Sequence, residues 1–319
     1  MTRHLIFWPF LLLATLSFKA SAQQTTASKD SSATDSMMNS LLSPADKEPV
    51  LATFKSTRLI LTETTETIKK NNLNFMVVHR FGDIAGTDGG GKTMWGLDNS
   101  SDIYIGFEYG LTNNLDIDFG RSKFEQLLEL GLKYNILHQT ADNSMPVAVT
   151  LVGKIGLKPY SVTTNVFDDY ANRLNYFGQV IIARKFSSRL SLQVAPSFLR
   201  NNLPFPYLAG NEQNIFSLAA AGRYKFTKRM GIVFDYAHPF SAFRKNSNSP
   251  QFYDPSGVGL EVETGGHVFT INFTNAKAIS PINYLADTES KWTKGQYRIG
   301  FAITRVFDLA HKHKPITDK

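Results

Sequence analysis

The chain has 319 residues, of which 42% are hydrophobic, 12% aromatic and 19% charged, and it contains no cysteine. This composition is sufficient for a sizeable core and argues against a wholly disordered chain. Without cysteine the chain has no disulfide, thiolate metal site, catalytic cysteine or lipoprotein anchor. The net charge of +7 falls to 7 − 2 = +5 when Arg3 and Lys19 leave with a leader. That charge is too small and too scattered to predict nucleic-acid binding.

The first 22 residues have the three parts of a secretory signal peptide. Arg3 and His4 precede the apolar run Leu5–Phe18, and a small-residue cleavage site follows at Ala20-Ser21-Ala22. The run has about 14 residues, whereas a spanning helix needs roughly 20. We therefore predict export and cleavage of residues 1–22 rather than a membrane anchor.

Three further segments lie outside the main domain. Residues 23–49 are rich in Ser, Thr, Asp and Lys without an apolar period, which predicts a disordered polar linker. Residues 50–72 contain a β-like stretch and are predicted to be a periplasmic extension or plug segment. In one hypothesis Lys55 or Arg58 of this segment pairs with Asp116 or Asp118 and restricts flow; in the other, the segment rests on the rim of the domain. Residues 309–319 form a basic C-terminal tail.

The main domain, residues 73–308, repeats runs of alternating apolar and polar residues that are closed by turn signals. In the run 102–111, for example, apolar side chains occupy every second position. Two runs, 147–157 and 176–186, carry apolar residues on both faces, so their registers are ambiguous. The pattern predicts about twelve strands, near 73–82, 101–111, 115–122, 127–138, 146–157, 175–186, 189–200, 214–226, 230–238, 257–264, 267–274 and 296–307.

The connections between these strands alternate between short and long. Tight turns such as Thr112-Asn113-Asn114 and Gly265-Gly266 alternate with polar loops at 83–100, 158–174, 201–213, 239–256 and 275–295, although 123–126 and 139–145 fit this rule poorly. Outer-membrane barrels have short periplasmic turns and long outer loops. We therefore predict an all-β fold, a transmembrane antiparallel up-and-down β-barrel of about 12 strands, with the five long loops outside.

The sheet must be closed because its apolar faces are in contact with lipid. In lipid every backbone donor and acceptor must be paired within the protein, so an open sheet edge is prohibitive. The predicted location is the bacterial outer membrane, and the expected partners are outer-membrane lipid and the barrel assembly machinery. A secreted β-sandwich or soluble barrel with its apolar faces turned inward is the alternative.

A series of short motifs resembles a known family. These are His79-Arg80-Phe81-Gly82-Asp83-Ile84, Gly96-Leu97-Asp98-Asn99-Ser100-Ser101, Phe107-Glu108-Tyr109-Gly110-Leu111-Thr112, Gly120-Arg121-Ser122, Ile182-Ala183-Arg184-Lys185-Phe186, Gly222-Arg223-Tyr224-Lys225, Glu263-Thr264-Gly265-Gly266-His267-Val268-Phe269 and Phe273-Thr274-Asn275. From about Ala52 to Phe307 the chain resembles domain-of-unknown-function family 5777, β-barrel proteins of Gram-negative bacteria. The resemblance implies a barrel and no catalytic residue.

The sequence contains no enzymatic motif that we recognise. Neither HExxH nor GxSxG is present, and the histidines are scattered apart from His311 and His313 in the tail. We expect no enzyme, no cofactor and no metal site. A membrane lipid esterase using His267 is a remaining alternative, because a twelve-strand barrel can also carry such chemistry.

The polar face of the predicted strands is where function is expected. Its charged residues have both signs and are the candidate lumen-lining residues: Asp102, Glu108, Asp116, Asp118, Glu129, Lys133, Arg223, Lys225, Glu261, Glu263 and Arg298. They form either a paired network that fills a narrow barrel or the wall of a water-filled path that sets solute preference. We predict a passive channel or transport component that takes a small solute. The alternative is a non-conducting scaffold or binding barrel that uses its long outer loops.

Overall fold

The protein is represented by a computed structural model that describes residues 48–50, 52–159, 170–203 and 210–310. Twelve antiparallel strands form one closed barrel in which each strand pairs with its sequence neighbours and the last strand closes against the first. The predicted fold class is therefore confirmed. Three predicted segments lie outside the described residues. They are the signal peptide, nearly all of the linker and the tail after residue 310.

The strand bounds lie close to the predicted ones. The strands are β1 Asn72–Phe81, β2 Ser100–Gly110, β3 Leu115–Ser122, β4 Leu128–Leu137, β5 Ala148–Leu157, β6 Leu174–Lys185, β7 Leu190–Asn201, β8 Asn214–Lys225, β9 Met230–Phe240, β10 Ser256–Thr264, β11 His267–Thr274 and β12 Arg298–Asp308. Two short helices, α1 Ala242–Asn246 and α2 Pro281–Tyr284, lie in loops, as do single 3-10 turns at 91–93, 124–126, 170–173 and 292–294. No helix in the described part of the chain is long and apolar enough to cross a membrane.

The two faces of the wall differ as the alternation predicts. Outward residues such as Ile105, Phe107 and Leu132 are 40% or more exposed, whereas their sequence neighbours on the inner face are buried. Closing the sheet pairs every strand on both sides, so no edge is left in contact with lipid. The outward belt is the part of the barrel suited to the hydrocarbon region.

A charged residue introduced in the middle of this belt tests whether the belt faces lipid. Ile105 is the central residue of β2, and its side chain points outward. We expect Ile105→Arg to destabilise the folded barrel by roughly 2–4 kcal/mol near the bilayer midplane, and Ile105→Leu to fold like the unchanged chain. The folded fraction in vesicles across a urea series, read from heat-modifiable gel mobility, measures the difference. Equal stability of the two variants would contradict the lipid-facing assignment.

The barrel has two distinct ends. We call the end with the connections 111–114, 138–147, 186–189, 226–229 and 265–266 the turn end, and the opposite end the loop end. Two segments outside the sheet fold into the barrel, one from each end. We call residues 52–69 the lumen hairpin and residues 275–290 the lumen loop. The expectation that 275–295 lies outside is wrong for most of that range, because residues 275–276 and 278–288 are buried.

Candidate functional site

The lumen hairpin starts and finishes at the turn end. Before it, residues 48–50 lie beside the β4–β5 turn, where Val50 N donates to Gln139 O at 2.7 Å. Within the hairpin, Leu59 N donates to Thr62 O at 3.0 Å and Thr64 N to Thr57 O at 2.8 Å. These bonds make two antiparallel arms with a tight turn at 59–62. The turn lies deep in the barrel.

A wall carboxylate holds this turn. Asp235 of β9 accepts hydrogen bonds from the backbone amides of Ile60, Leu61 and Thr62 at 2.7, 3.1 and 3.3 Å, and from Thr62 Oγ1 at 2.5 Å. Successive amides that converge on one anion form a concave anion site, and bonds to an ionised acceptor are stronger than neutral ones. Asp235 therefore fixes the tip of the hairpin to the wall.

A second wall contact is a buried cluster of charges around Glu63 of the hairpin. Its carboxylate oxygens lie 2.7 Å from Arg58 Nη2, 3.1 Å from Lys133 Nζ and 3.0 Å from Lys154 Nζ. All of these side chains are 5% exposed or less. Burial alone would raise the pKa of Glu63, but Lys154, Lys133 and Arg58 hold it well below its usual range. One hairpin carboxylate thus forms ion pairs with two lysines of the wall.

The wall is shaped to receive Arg58. Its guanidinium carbon lies 5.1 Å from the ring centre of Tyr104, a cation–π distance. The Tyr104 ring lies against the backbone of Gly106 and Gly120. A Cβ added at Gly120 would come within 2.0 Å of Tyr104 Oη, and a Cβ added at Gly106 would come within 2.7 Å of the Tyr104 ring. Glycine at these two positions leaves the room that the ring needs.

The lumen loop is anchored from the loop end. Asp102 of β2 accepts from Ile279 N at 2.8 Å, and Ser280 Oγ donates to Glu129 of β4. Arg298 of β12 donates to Asn275 O at 2.6 Å and pairs with Asp83. Inward carboxylates and one arginine therefore bind the loop mainly through its backbone.

The two segments meet inside the barrel. Arg80 of β1, only 1% exposed, donates to Ile60 O of the hairpin at 2.9 Å and to Ala278 O of the loop. Tyr284 Oη donates to Leu61 O at 3.4 Å. Because one arginine serves both segments, we expect displacement of either to weaken the other.

One side of the lumen is apolar. Inward residues of β5 to β9 pack with the hairpin and the loop in one buried cluster whose members include Phe54, Leu59, Leu61, Val152, Phe177, Ile181, Leu199, Ile215, Ile282 and Leu285. These strands therefore meet lipid on one face and a packed protein segment on the other. This packing explains the two registers that the alternation left ambiguous.

The eleven predicted residues fall into three groups on the inner face. At the loop end, Asp102, Glu129 and Arg298 bind the lumen loop. Beside the hairpin, Asp116 accepts from Ile68 N at 2.8 Å, Asp118 pairs with Lys154 at 3.1 Å and Glu108 accepts from Asn74 at 2.8 Å, while Lys133 pairs with Glu63. At the turn end, Arg223 Nη2 lies 2.5 Å from oxygens of Glu261 and Glu263, and Lys225 is 3.9 Å from Glu263. Their use as a solute path stays a prediction.

The predicted pairing of the hairpin with Asp116 or Asp118 is wrong in detail. Arg58 pairs with Glu63 of its own hairpin, and Lys55 lies 3.5 Å from Glu263 at the turn end. Asp116 instead receives a backbone amide. The arginine has a nearer carboxylate because the tight turn at 59–62 places residues 58 and 63 opposite each other.

Sequence reasoning missed Glu63, Arg80, Lys154 and Asp235. Lys154 lies in one of the ambiguous runs, and Asp235 interrupts an otherwise apolar stretch of β9. An acidic residue on the inner face of an apolar strand is a usable signal, because a buried charge needs a partner. No comparable signal distinguishes Glu63 within its polar neighbourhood.

No catalytic constellation is evident in the described ranges. They contain no group of three His, Asp or Glu residues able to hold a metal ion. His267 stacks on Phe269 with ring centres 5.8 Å apart, and His238 Nδ1 is 2.8 Å from Asp254 Oδ2. His238 lies on the outer face of β9, and His267 is the first residue of β11.

Comparison with known proteins places the chain among membrane barrels. The family model described as the membrane-bound beta barrel domain, DUF5777, matches residues 54–307. The chain belongs to the DUF5777 family. The family match begins at residue 54, so the lumen hairpin from Phe54 onward is part of the DUF5777 domain together with the wall.

Several solved structures match the chain at low identity. The NanC porin is 10% identical, with a TM-score of 0.46 over 73% of this chain and 98% of that one. The KdgM porin is 9% identical, with a TM-score of 0.43 over 74% and 99%. An outer-membrane channel from Pseudomonas putida F1 is 11% identical, with a TM-score of 0.46 over 76% and 98%. The search of curated proteins found no match.

Proposed function

We propose that this DUF5777 protein is a gated channel of the bacterial outer membrane, closed by its lumen hairpin. The turn end faces the periplasm, the long loops other than the lumen loop face outside, and outer-membrane lipid surrounds the belt after the barrel assembly machinery has inserted it. A small polar solute crosses when the hairpin withdraws. The activity is passage rather than catalysis.

The observation that carries this proposal is the path of the hairpin. Both arms leave through the turn-end mouth, and the hairpin belongs to none of the strand pairs that close the barrel. It can therefore withdraw without breaking a hydrogen bond of the wall. The barrel stays closed against lipid in either state.

The chemistry of the contacts supports reversibility. The hairpin is held by Asp235 and by the cluster of Glu63 with Lys133 and Lys154, and all of these wall groups can be hydrated once the hairpin leaves. Charged groups on a pore wall then set the preference for solute charge. A hairpin held by polar bonds exchanges protein partners for water at a modest net cost per bond.

A second candidate function is a non-conducting barrel, as a scaffold or binding surface. It is favoured by the apolar side of the lumen, where Phe54, Leu59 and Leu61 of the hairpin are at most 4% exposed. Withdrawal exposes this surface to water, which costs about 25 cal/mol per Å² of apolar area. The two candidates differ in whether ions cross.

The channel and the non-conducting barrel are distinguished by the single-channel conductance of a variant with a larger side chain behind the hairpin tip. A Cβ on Gly257 of β10 would approach Ile60 Cγ2 to 2.9 Å, so Gly257→Val pushes on the tip of the hairpin. A Cβ on Gly178, on the outer face of β6, meets nothing within 4 Å, so Gly178→Val is the matched control. We expect the full chain and Gly178→Val to be closed for most of the record and Gly257→Val to open in discrete steps. Silence from folded Gly257→Val would favour the non-conducting barrel.

A further inference from the structure

A small cavity at the turn end lies apart from the contacts that Asp235 and Glu63 make. It has a volume of about 140 Å³ and opens between the start of the hairpin, the β6–β7 turn and the ends of β8 and β10. We call it the turn-end basin. Its charged lining residues are Lys55, Lys185, Arg189, Arg223, Lys225 and Glu263.

The basin has an excess of positive charge. Five of its charged lining groups are cations and one is a carboxylate. Two further carboxylates lie nearby: Glu261, which pairs with Arg223, and Glu66, which accepts from Phe54 N at 2.9 Å. Counting both leaves 5 − 3 = +2. Clustered like charges are unfavourable unless an anion joins them.

Arg223 provides an independent sign of a missing ligand. It is 5% exposed, and its Nη2 serves Glu261 and Glu263. Its Nε is buried and has no hydrogen-bond partner among the described residues. Buried donors are almost always satisfied, so Arg223 retains an unused donor beside the cationic cavity that its side chain lines.

We propose that the turn-end basin binds one small oxyanion of the phosphate or carboxylate class. Arg223 and Lys225 hold it from the wall, and Lys55 holds it from the hairpin. Water occupies about 30 Å³ per molecule, so the cavity takes one such anion with a few waters and excludes a polymer. Guanidinium and ammonium groups suit oxyanions because they donate charge-assisted hydrogen bonds.

The anion fastens the hairpin to the wall. Lys55 is half exposed and its carboxylate partner Glu263 is shared with Arg223 and Lys225, so the Lys55 side chain is held weakly there without a ligand. An oxyanion shared by Lys55 and the wall adds bonds that exist only when the hairpin is in place. By linkage, the anion stabilises the closed state. This consequence rests on the proposed function, whereas the binding itself does not.

Calorimetry on the detergent-solubilised full chain tests the binding, with inorganic phosphate and succinate as probes and chloride as the background salt. We expect saturable binding of at least one probe at one site per chain. Lys55→Gln and Lys225→Gln are expected to weaken it at least about tenfold, because each removes a charge-assisted bond. Lys228→Gln, which removes the same charge from a neighbouring turn outside the basin, is expected to bind like the full chain.

Two results would overturn the proposal. One is the absence of saturable binding of both probes to folded protein. The other is an equal loss of affinity in Lys228→Gln and Lys225→Gln, which would mean that net charge alone attracts the anion. If the anion binds, the binding depends on Lys225 and the protein never conducts, the binding proposal stands and the channel proposal is wrong. The two proposals can therefore fail separately.

Discussion

Glu63→Gln is expected to convert a closed barrel into one that conducts for much of the record. The substitution leaves the ammonium groups of Lys133 and Lys154 buried without their hairpin carboxylate. Breaking one partner of a buried ion pair costs roughly 3–5 kcal/mol, and every 1.4 kcal/mol is tenfold in an equilibrium constant. Hairpin withdrawal hydrates both lysines and removes this cost. We therefore expect the ratio of open to closed time to rise by about two to three and a half orders of magnitude.

Two controls accompany this measurement. Glu48→Gln changes an exposed glutamate of the same N-terminal segment and is expected to leave the conductance unchanged. The double variant Glu63→Gln with Lys133→Met removes one of the uncompensated charges, and we expect it to close part of the way again. An equally closed record for Glu63→Gln and the full chain would show that the charge cluster does not hold the hairpin.

Asp235 is expected to give a graded result. Asp235→Ala leaves the amides of Ile60, Leu61 and Thr62 buried without an acceptor, and each orphaned donor costs about 1–3 kcal/mol. Asp235→Asn keeps the shape and one acceptor oxygen, so it should weaken the hairpin less. We expect the fraction of time that the channel is open to be lowest in the unchanged chain, higher in Asp235→Asn and highest in Asp235→Ala.

Protection of the hairpin amides provides a readout independent of conduction. Hydrogen exchange of residues 60–62 should become faster in the same order, while amides of the β1–β12 pair stay protected. Exchange at residues 60–62 that is equally slow in all three proteins would contradict the role assigned to Asp235. Faster exchange throughout the barrel would instead show that Asp235 supports the wall itself.

The sequence alone determined most of the wall. Alternation with period 2 and turn residues at Thr112-Asn113-Asn114 and Gly265-Gly266 were sufficient for twelve strands whose bounds agree with the structure within about two residues. These signals are local, because the face on which a strand residue lies depends only on its neighbours two positions away. The regular difference in connection length between the two ends is local as well.

The contents of the barrel depended on tertiary structure. Nothing in the polar sequence around Glu63 indicates that it reaches Lys133 and Lys154, 70 and 91 residues away along the chain. Likewise the range 275–295 has the composition of an exposed loop, yet residues 275–276 and 278–288 are buried. A charged side chain or a loop backbone can be hydrated at the surface or can bind a polar partner in the interior. Only closure of the barrel brings such partners together here. The ambiguous registers of β5 and β6 have the same origin, because their inner faces pack against a hairpin that is distant in sequence.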